Sequence, residues 1–459
     1  MLALALVLLA PPAHVEFIPW AEARTVVEKV APEALPDALR ALTAQEREVA
    51  WPNWIGARDR EIRARLAQGT EDSLAHFLLF GTSFTREPRL TAAELASTGG
   101  DTSRLRQRLA GRLRDLVATL AATGGDERVQ FLRGFLRSRE FDARDPGSRE
   151  RVSAYLVDNL ARVLRENDSL ARALEAARSL GDPSAEFAER SRLFRTRGLS
   201  SDTSLFPNLA IEESLVALRD RGLLAKGSVR RVGIVGPGLD FTDKQDGYDF
   251  YPQQSLQPFA LADSLLRLGL AKADDLTLVT LDLNPQVNHH LENAAAAARK
   301  GQGYVLQLPR DTAIAWTPAA EAYWARFGDA AGVPEEPLPV PKQASALRSR
   351  AVRIRPELVA KLRVHDANVV LQRPRPAAGA ELDLVVATNI LVYYDVFEQC
   401  LALANAAAML RTGGLLLSNN AVLELPGSSM RSVGYNTTGY SSREADGDHI
   451  VWYRKLIVE

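Results

Sequence analysis

The feature that most constrains the fold is a change of hydrophobic period near residue 229. Upstream, apolar residues recur every three to four positions. Downstream, short consecutive apolar runs alternate with helical stretches. A buried strand is predicted at 232–235 (VGIV), closed by Gly236-Pro237-Gly238. Further strands are predicted at 276–281, 304–308, 362–364, 382–387, 415–418 and 449–454, and helices at 258–270, 287–300 and 396–410. Strands alternating with helices give a parallel sheet covered on both faces, an α/β architecture. The final strands are joined by a long loop, so an antiparallel strand is expected at the sheet edge.

The organisation expected is an apolar segment at 1–15, a helical region at 16–228 and a cofactor-binding α/β domain at 229–459. Thr43 and Glu46 have the spacing of a capping box. The stretch 77–90 reads as a loop around Gly81 and Pro88, and 99–103 (GGDTS) as a linker. Leu105, Leu109, Leu113, Leu116 and Leu120 mark one face of a helix that ends at Gly124-Gly125, and a bundle face explains them better than a ligand. The apolar run 1–10 is too short to span a bilayer and lacks a basic start; a secretory leader and a first helix are the two readings. Among 459 residues the formal net charge is −1, which gives no pull toward nucleic acid. Cys400 is the one cysteine, in a predicted helix, and reads as a buried spectator.

In a doubly wound sheet the ligand sits beyond the carboxyl ends of the strands, where strand order reverses. Gly236 and Gly238 suit a turn that backbone and ligand approach closely, because glycine has no Cβ. Asp282, at the end of the second strand, is placed to accept hydrogen bonds from ribose hydroxyls. A dinucleotide turn wants a third glycine where Phe241 stands, and its acid about 20 residues on, much closer than Asp282. A phosphate-cradling G-x-x-x-x-G-K-[ST] is absent. A nucleoside without phosphates is therefore favoured over a pyrophosphate.

The run 383–395 (DLVVATNILVYYD) resembles the D-(apolar)₃-C-R-N-V-L-I-Y-F-D motif of class I S-adenosylmethionine-dependent methyltransferases of the chemotaxis-receptor type, which methylate glutamate. Residues 257–262 (QPFALA) resemble that family's E-P-Y-S-L-A helix start, and 82–88 (TSFTREP) its T-x-F-F-R-(D/E)-P loop. The resemblance implies a Rossmann-like methyltransferase sheet, S-adenosylmethionine as cofactor, Asp282 on the ribose, and Asn368 and Val369 along the adenine. It implies Gln257 at the cofactor-side helix start and Arg86 near the cofactor carboxylate. No metal is implied. Two departures stand out: the family's arginine is Thr388 and its glutamate is Gln257. A cofactor of this kind is cytosolic, so a cytoplasmic location is expected.

Methyl transfer from a sulfonium is an in-line displacement, in which the protein chiefly aligns the partners and excludes water. Asn389 and Tyr393 are the residues expected to position the acceptor, with Tyr394 packing inward. Adjacent His289 and His290 point to different sides of a helix and make a poor metal pair. His365 and Asp366 are expected to line the pocket. Tyr248, Phe250 and Tyr251 read either as a lid or as an aromatic loop ordered by packing. Three functions stay open: a methyltransferase acting on a protein carboxylate or a small molecule, a methyltransferase-fold binding protein without activity, and a nicotinamide-dependent oxidoreductase disfavoured by Phe241.

Overall fold

The computed structural model describes residues 14–90, 94, 102–179, 194–195, 197–242, 248–344, 346–441 and 446–457. The apolar run 1–10, residues 99–101 of the linker and residues 243–247 of the turn-to-helix insert lie outside the described residues.

A short strand β1 (Val15–Phe17) leads into α1 (Trp20–Lys29) and the 37-residue α2 (Ala44–Phe80). The capping box opens α2: Thr43 N–H donates to the Glu46 carboxylate at 2.8 Å, and Glu46 N–H donates back to Thr43 Oγ1. The loop expected from residue 77 begins only after Phe80, because Phe77, Leu78 and Leu79 are buried and keep the helix going. Then come α3 (Thr102–Ala121), α4 (Glu127–Ser138), α5 (Arg149–Ser179) and α6 (Phe206–Asp220). Leu116 and Leu120 face Leu132, Leu136, Leu156 and Leu160 in a helical core shared with the second half of α2.

The α/β region contains β2 (Arg231–Val235), α7 (Gln257–Arg267), β3 (Thr277–Asp282), α8 (Pro285–Ala298), β4 (Tyr304–Asp311), α9 (Pro318–Arg326), β5 (Gly332–Glu335) and β6 (Leu347–Ile354). It continues with β7 (Leu362–Asp366), β8 (Gln372–Pro374), β9 (Leu382–Ala387), α10 (Val396–Met409), β10 (Leu410–Ser418), β11 (Met430–Gly439) and β12 (Gly447–Lys455).

Seven strands form the main sheet in the order β7-β3-β2-β9-β10-β12-β11. Counted along the chain within that sheet, this is 3-2-1-4-5-7-6. Strands β7, β3, β2, β9 and β10 pair in parallel, and β12 runs antiparallel to both its neighbours. The reversal of order at β2 and β9 is the switch point of a doubly wound sheet. Successive side chains of the central strands feed opposite layers, so both faces are buried. Val232, Ile234, Leu384 and Val386 pack toward α6, α7 and α8. Val235, Val385, Ala387 and Leu416 pack toward α10, α1 and the start of α2.

Two expectations are corrected. Residues 304–308 do not form a strand of the parallel sheet: β4 pairs antiparallel with β6, which also pairs with β5, in a separate three-stranded sheet. The antiparallel strand β12 is not at the edge, because β11 lies outside it with a register shift between Ser432 and Gly434. Pairing with β6, further along the chain, decides the first point, and the hairpin from β11 to β12 decides the second. Among the described residues no helix is long and apolar enough to cross a membrane.

Candidate cofactor and acceptor site

The carboxyl ends of β2, β3, β7, β9 and β10 carry the residues of interest. The turn after β2 holds Gly236 and Gly238 in left-handed conformations, with φ of 61° and 71°. A Cβ on Gly236 would overlap the Ile390 side chain, and one on Gly238 would press on the Ser201 and Asp202 carbonyls. Conformation favours glycine at both positions, and at Gly238 the neighbouring backbone also leaves no room for a Cβ.

Asp282 ends β3 and accepts the backbone N–H of Asn284 at 2.8 Å, and the Gly238 N–H also favours its charged form. The glycine turn lies beside the acid: Gly236 N–H donates at 2.8 Å to the carbonyl of Leu281, the residue before Asp282. Burial pushes the Asp282 carboxyl up to about 7, against the opposing pull of those N–H groups. Asn288, one turn into α8, donates to the Asp282 carbonyl at 2.9 Å, and its own buried Oδ1 has no protein partner.

Asn368 and Val369 follow β7. Asn368 is fully buried; its Nδ2 donates to Asp59 at 2.9 Å, and its Oδ1 has no protein partner. Asp59 also receives Arg63, which pairs with Asp366 at 2.7 Å. Helix α2 therefore closes this corner. Sequence reasoning missed Asp59 and Arg63; their only signal was an i,i+4 pair of opposite charge.

After β9, Thr388 accepts a 2.7 Å hydrogen bond from Gln257 Nε2, with both residues buried. The two departures from the resembled motif thus touch, as a neutral hydrogen-bonded pair. Asn389 is exposed, adopts φ 59° and exchanges two hydrogen bonds with Asn419. Tyr393 is nearly buried, edge-on to Phe194, with its carbonyl receiving Arg65. Tyr394 packs inward.

Arg86 is exposed. Its loop is fastened by Thr82 and Ser83 donating to the Asp249 carboxylate. Phe241 packs against Phe77 and Phe131 in the helical core. Tyr248 and Tyr251 are buried, with hydroxyls bonded to Asp311 and Asp240, so these two rings are packed rather than exposed as a lid. His290 meets the Tyr304 hydroxyl at 2.7 Å, and burial lowers it to about 4, which keeps it neutral. His289 contacts Asn293.

A segment with no recognisable motif crosses the site. Leu199 N–H donates to the Arg65 carbonyl, Leu239 N–H to the Ser201 carbonyl, and Asn284 to Ser201 Oγ. Residues 197–204 thus run from α2 to the glycine turn. The cavity left beside Ser201, Leu239, Phe241 and Asn284 measures about 20 Å³, room for about one water. The arrangement fits a nucleoside: a glycine cradle and, as hydrogen-bond acceptors, an acid at the strand end and two unpaired buried amide oxygens. The space beside it is closed by residues 197–204.

No family model matches the chain, and no curated protein matches it. Among solved structures it is similar to the N-methyltransferase NodS from Bradyrhizobium japonicum WM9, at 12% identity over 54% of this chain and 95% of that one, with a TM-score of 0.25. It is similar to the O-methyltransferase NcsB1 from neocarzinostatin biosynthesis, crystallised with S-adenosyl-L-homocysteine and 1,4-dihydroxy-2-naphthoic acid, at 16% identity over 85% and 97%, with a TM-score of 0.28. An O-methyltransferase family protein from Burkholderia thailandensis gives 14% identity over 91% and 99%, with a TM-score of 0.25. At these scores the likenesses decide neither activity nor ligand. The fold rests on the sheet itself: a Rossmann-like order with one antiparallel strand between the fifth and the sixth, as in the class I methyltransferase fold, preceded by a helical region.

Proposed function

We propose that the chain binds S-adenosylmethionine and transfers its methyl group. The observation that carries this reading is the placing of Asp282 beside the left-handed glycine turn at the switch point of the sheet, with Gly236 bonded to the residue before it. Asp282 receives the ribose hydroxyls, Gly236 and Gly238 admit the nucleoside close to the backbone, and Asn368 and Val369 border the adenine. Gln257 orients the cofactor side of α7 through Thr388. Asn389 and Tyr393 position the acceptor. Arg86, exposed on its loop, approaches the cofactor carboxylate. When bound, S-adenosylmethionine supplies an electrophilic methyl group; the chain's own residues hold the acceptor in line and exclude water. A cytoplasmic location goes with that cofactor.

Isothermal titration with S-adenosylhomocysteine tests the reading, with NAD as the control. Binding is expected for the first ligand alone, and Asp282→Ala is expected to abolish it while circular dichroism stays unchanged. Unaltered affinity in that variant would refute the site.

A second reading, a binding protein without turnover, is favoured by one observation: the Ser201–Asp202 backbone lies against Gly238. Tight S-adenosylhomocysteine binding, with no label transferred from methyl-labelled cofactor to amine, phenol or carboxylate acceptors, would support it.

A further inference from the structure

Beyond the glycine turn, the ends of β9, β10 and β12 bring Asn389, Asn419 and Asp448 into one chain of hydrogen bonds. Asn419 Nδ2 donates to Asn389 Oδ1 at 2.6 Å and lies 3.3 Å from Asp448 Oδ1. Asn389 N–H donates to Asn419 Oδ1 at 2.8 Å. Tyr440, held protonated by burial, donates to Asp448 Oδ2 at 2.6 Å. The Asn419 and Tyr440 donors are directed inward, and the oxygens of Asn389 and Asp448 keep lone pairs beyond the bonds they accept; the Asn389 amide N–H groups are the one side-chain donor of the cluster with no partner in it. Asn389 is exposed and Asp448 half-buried, so the chain forms an accessible polar ledge carrying one carboxylate and one side-chain amide.

The ledge sits beside the cofactor turn, since the side chain of Ile390, next to Asn389, touches Gly236. Its other side is aromatic. Phe206 stacks on Tyr440 with centroids 4.8 Å apart, and Trp316 meets Phe206 edge-on at 4.9 Å. This wall already seats a cation, with the Arg310 guanidinium 4.8 Å from the Trp316 centroid. Aromatic faces and a carboxylate together favour an ammonium and disfavour a second carboxylate.

We propose that the methyl acceptor is an amine, received as an ammonium by Asp448 and Asn389. This rests on the methyltransferase reading and narrows its substrate class. The ammonium gives one proton to the Asp448 carboxylate, which passes it to solvent. The freed nitrogen lone pair forms the C–N bond as the C–S bond breaks and leaves its pair on sulfur. One proton is released per methyl transferred.

The test uses sinefungin, a nucleoside with a protonated amine in place of the transferable methyl, against S-adenosylhomocysteine, by calorimetry on the full chain. Wild type is expected to prefer sinefungin by about tenfold. The near-isosteric Asp448→Asn is expected to bring the two affinities to parity, with S-adenosylhomocysteine binding unchanged. A preference equal in both proteins, or absent from wild type, overturns the proposal. If S-adenosylhomocysteine does not bind at all, the methyltransferase reading fails instead. Should the variant not fold, salt on wild type decides: a charge-driven preference falls severalfold between about 50 mM and about 500 mM KCl, and a constant one counts against Asp448.

Discussion

Gln257 and Thr388 show how two departures from a family pattern can be one event. Each alone looks like a lost charge; in the fold they are a buried hydrogen-bonded pair. Gln257→Glu alone should leave a carboxylate without a cationic partner and cost about 2 kcal/mol. Adding Thr388→Arg should return at least about 1 kcal/mol of that loss as a favourable coupling in a urea-denaturation cycle. Strict additivity would show that the two positions are independent. Asp282 predicts a pH effect. Its folded value, about 7, lies above its ordinary value of 3.8, so the folded state binds the proton more tightly. The stability it contributes is full below about pH 4 and is lost as pH rises through about 7. The melting temperature of the ligand-free chain should therefore fall over that window, and Asp282→Asn should flatten the profile. Ribose hydroxyls donate to the ionised form, so S-adenosylhomocysteine should bind more tightly as pH rises through about 7. The type and place of Asp282 were legible as an acid after an apolar run. The Asp59 partner of Asn368 was not, because it lies 309 residues away in the chain.

Among elements, α2 does the most that its pattern did not announce. It supplies Asp59, Arg63 and Arg65 and grips residues 197–204 through close backbone contact. A Cβ on Gly69 would overlap the Leu199 carbonyl, and one on Gly198 would overlap the backbone of Gly69. Because backbone atoms are the obstacle, Gly69→Ala should lower stability by about 2–4 kcal/mol. It should also speed amide hydrogen exchange across 197–204, read by mass spectrometry. A change within about 0.5 kcal/mol, with exchange unaltered, would mean that the contact is dispensable. The same segment presses on Gly238, so S-adenosylhomocysteine binding should change exchange at 199–204. Strand β11 escaped sequence reading for a related reason. Its residues (MRSVGYNTTG) carry little apolar alternation, and pairing with β12 on one side is what makes them a strand.

At the scale of the whole molecule, helices and sheet share a core. Trp20, Trp51, Trp54 and Phe397 form a continuous chain of ring contacts from α1 through α2 to α10. Arg58 of α2 pairs with the buried Glu398 of α10 at 2.6 Å. Removing residues 1–228 would strip α1 and α2 from the β9–β10 face and leave the Glu398 carboxylate unpaired. The 229–459 fragment should therefore be insoluble or lack cooperative thermal unfolding, and a sharp melting transition in the fragment would contradict this shared core.

What the sequence determined by itself is local. The α/β alternation, the 382–387 strand, the glycine turn and the acid after the second strand follow from hydrophobic period and from the φ that glycine permits. What tertiary structure alone decided is which distant pieces meet. β4 went to a sheet of its own, β11 took the edge, residues 197–204 lay over Gly238, and Asn389 joined Asn419 and Asp448. A strand's partner, a buried amide's acceptor and the neighbours of a carboxylate are set when the chain closes on itself, because only then do desolvation and pairing choose among alternatives that the local pattern leaves equal.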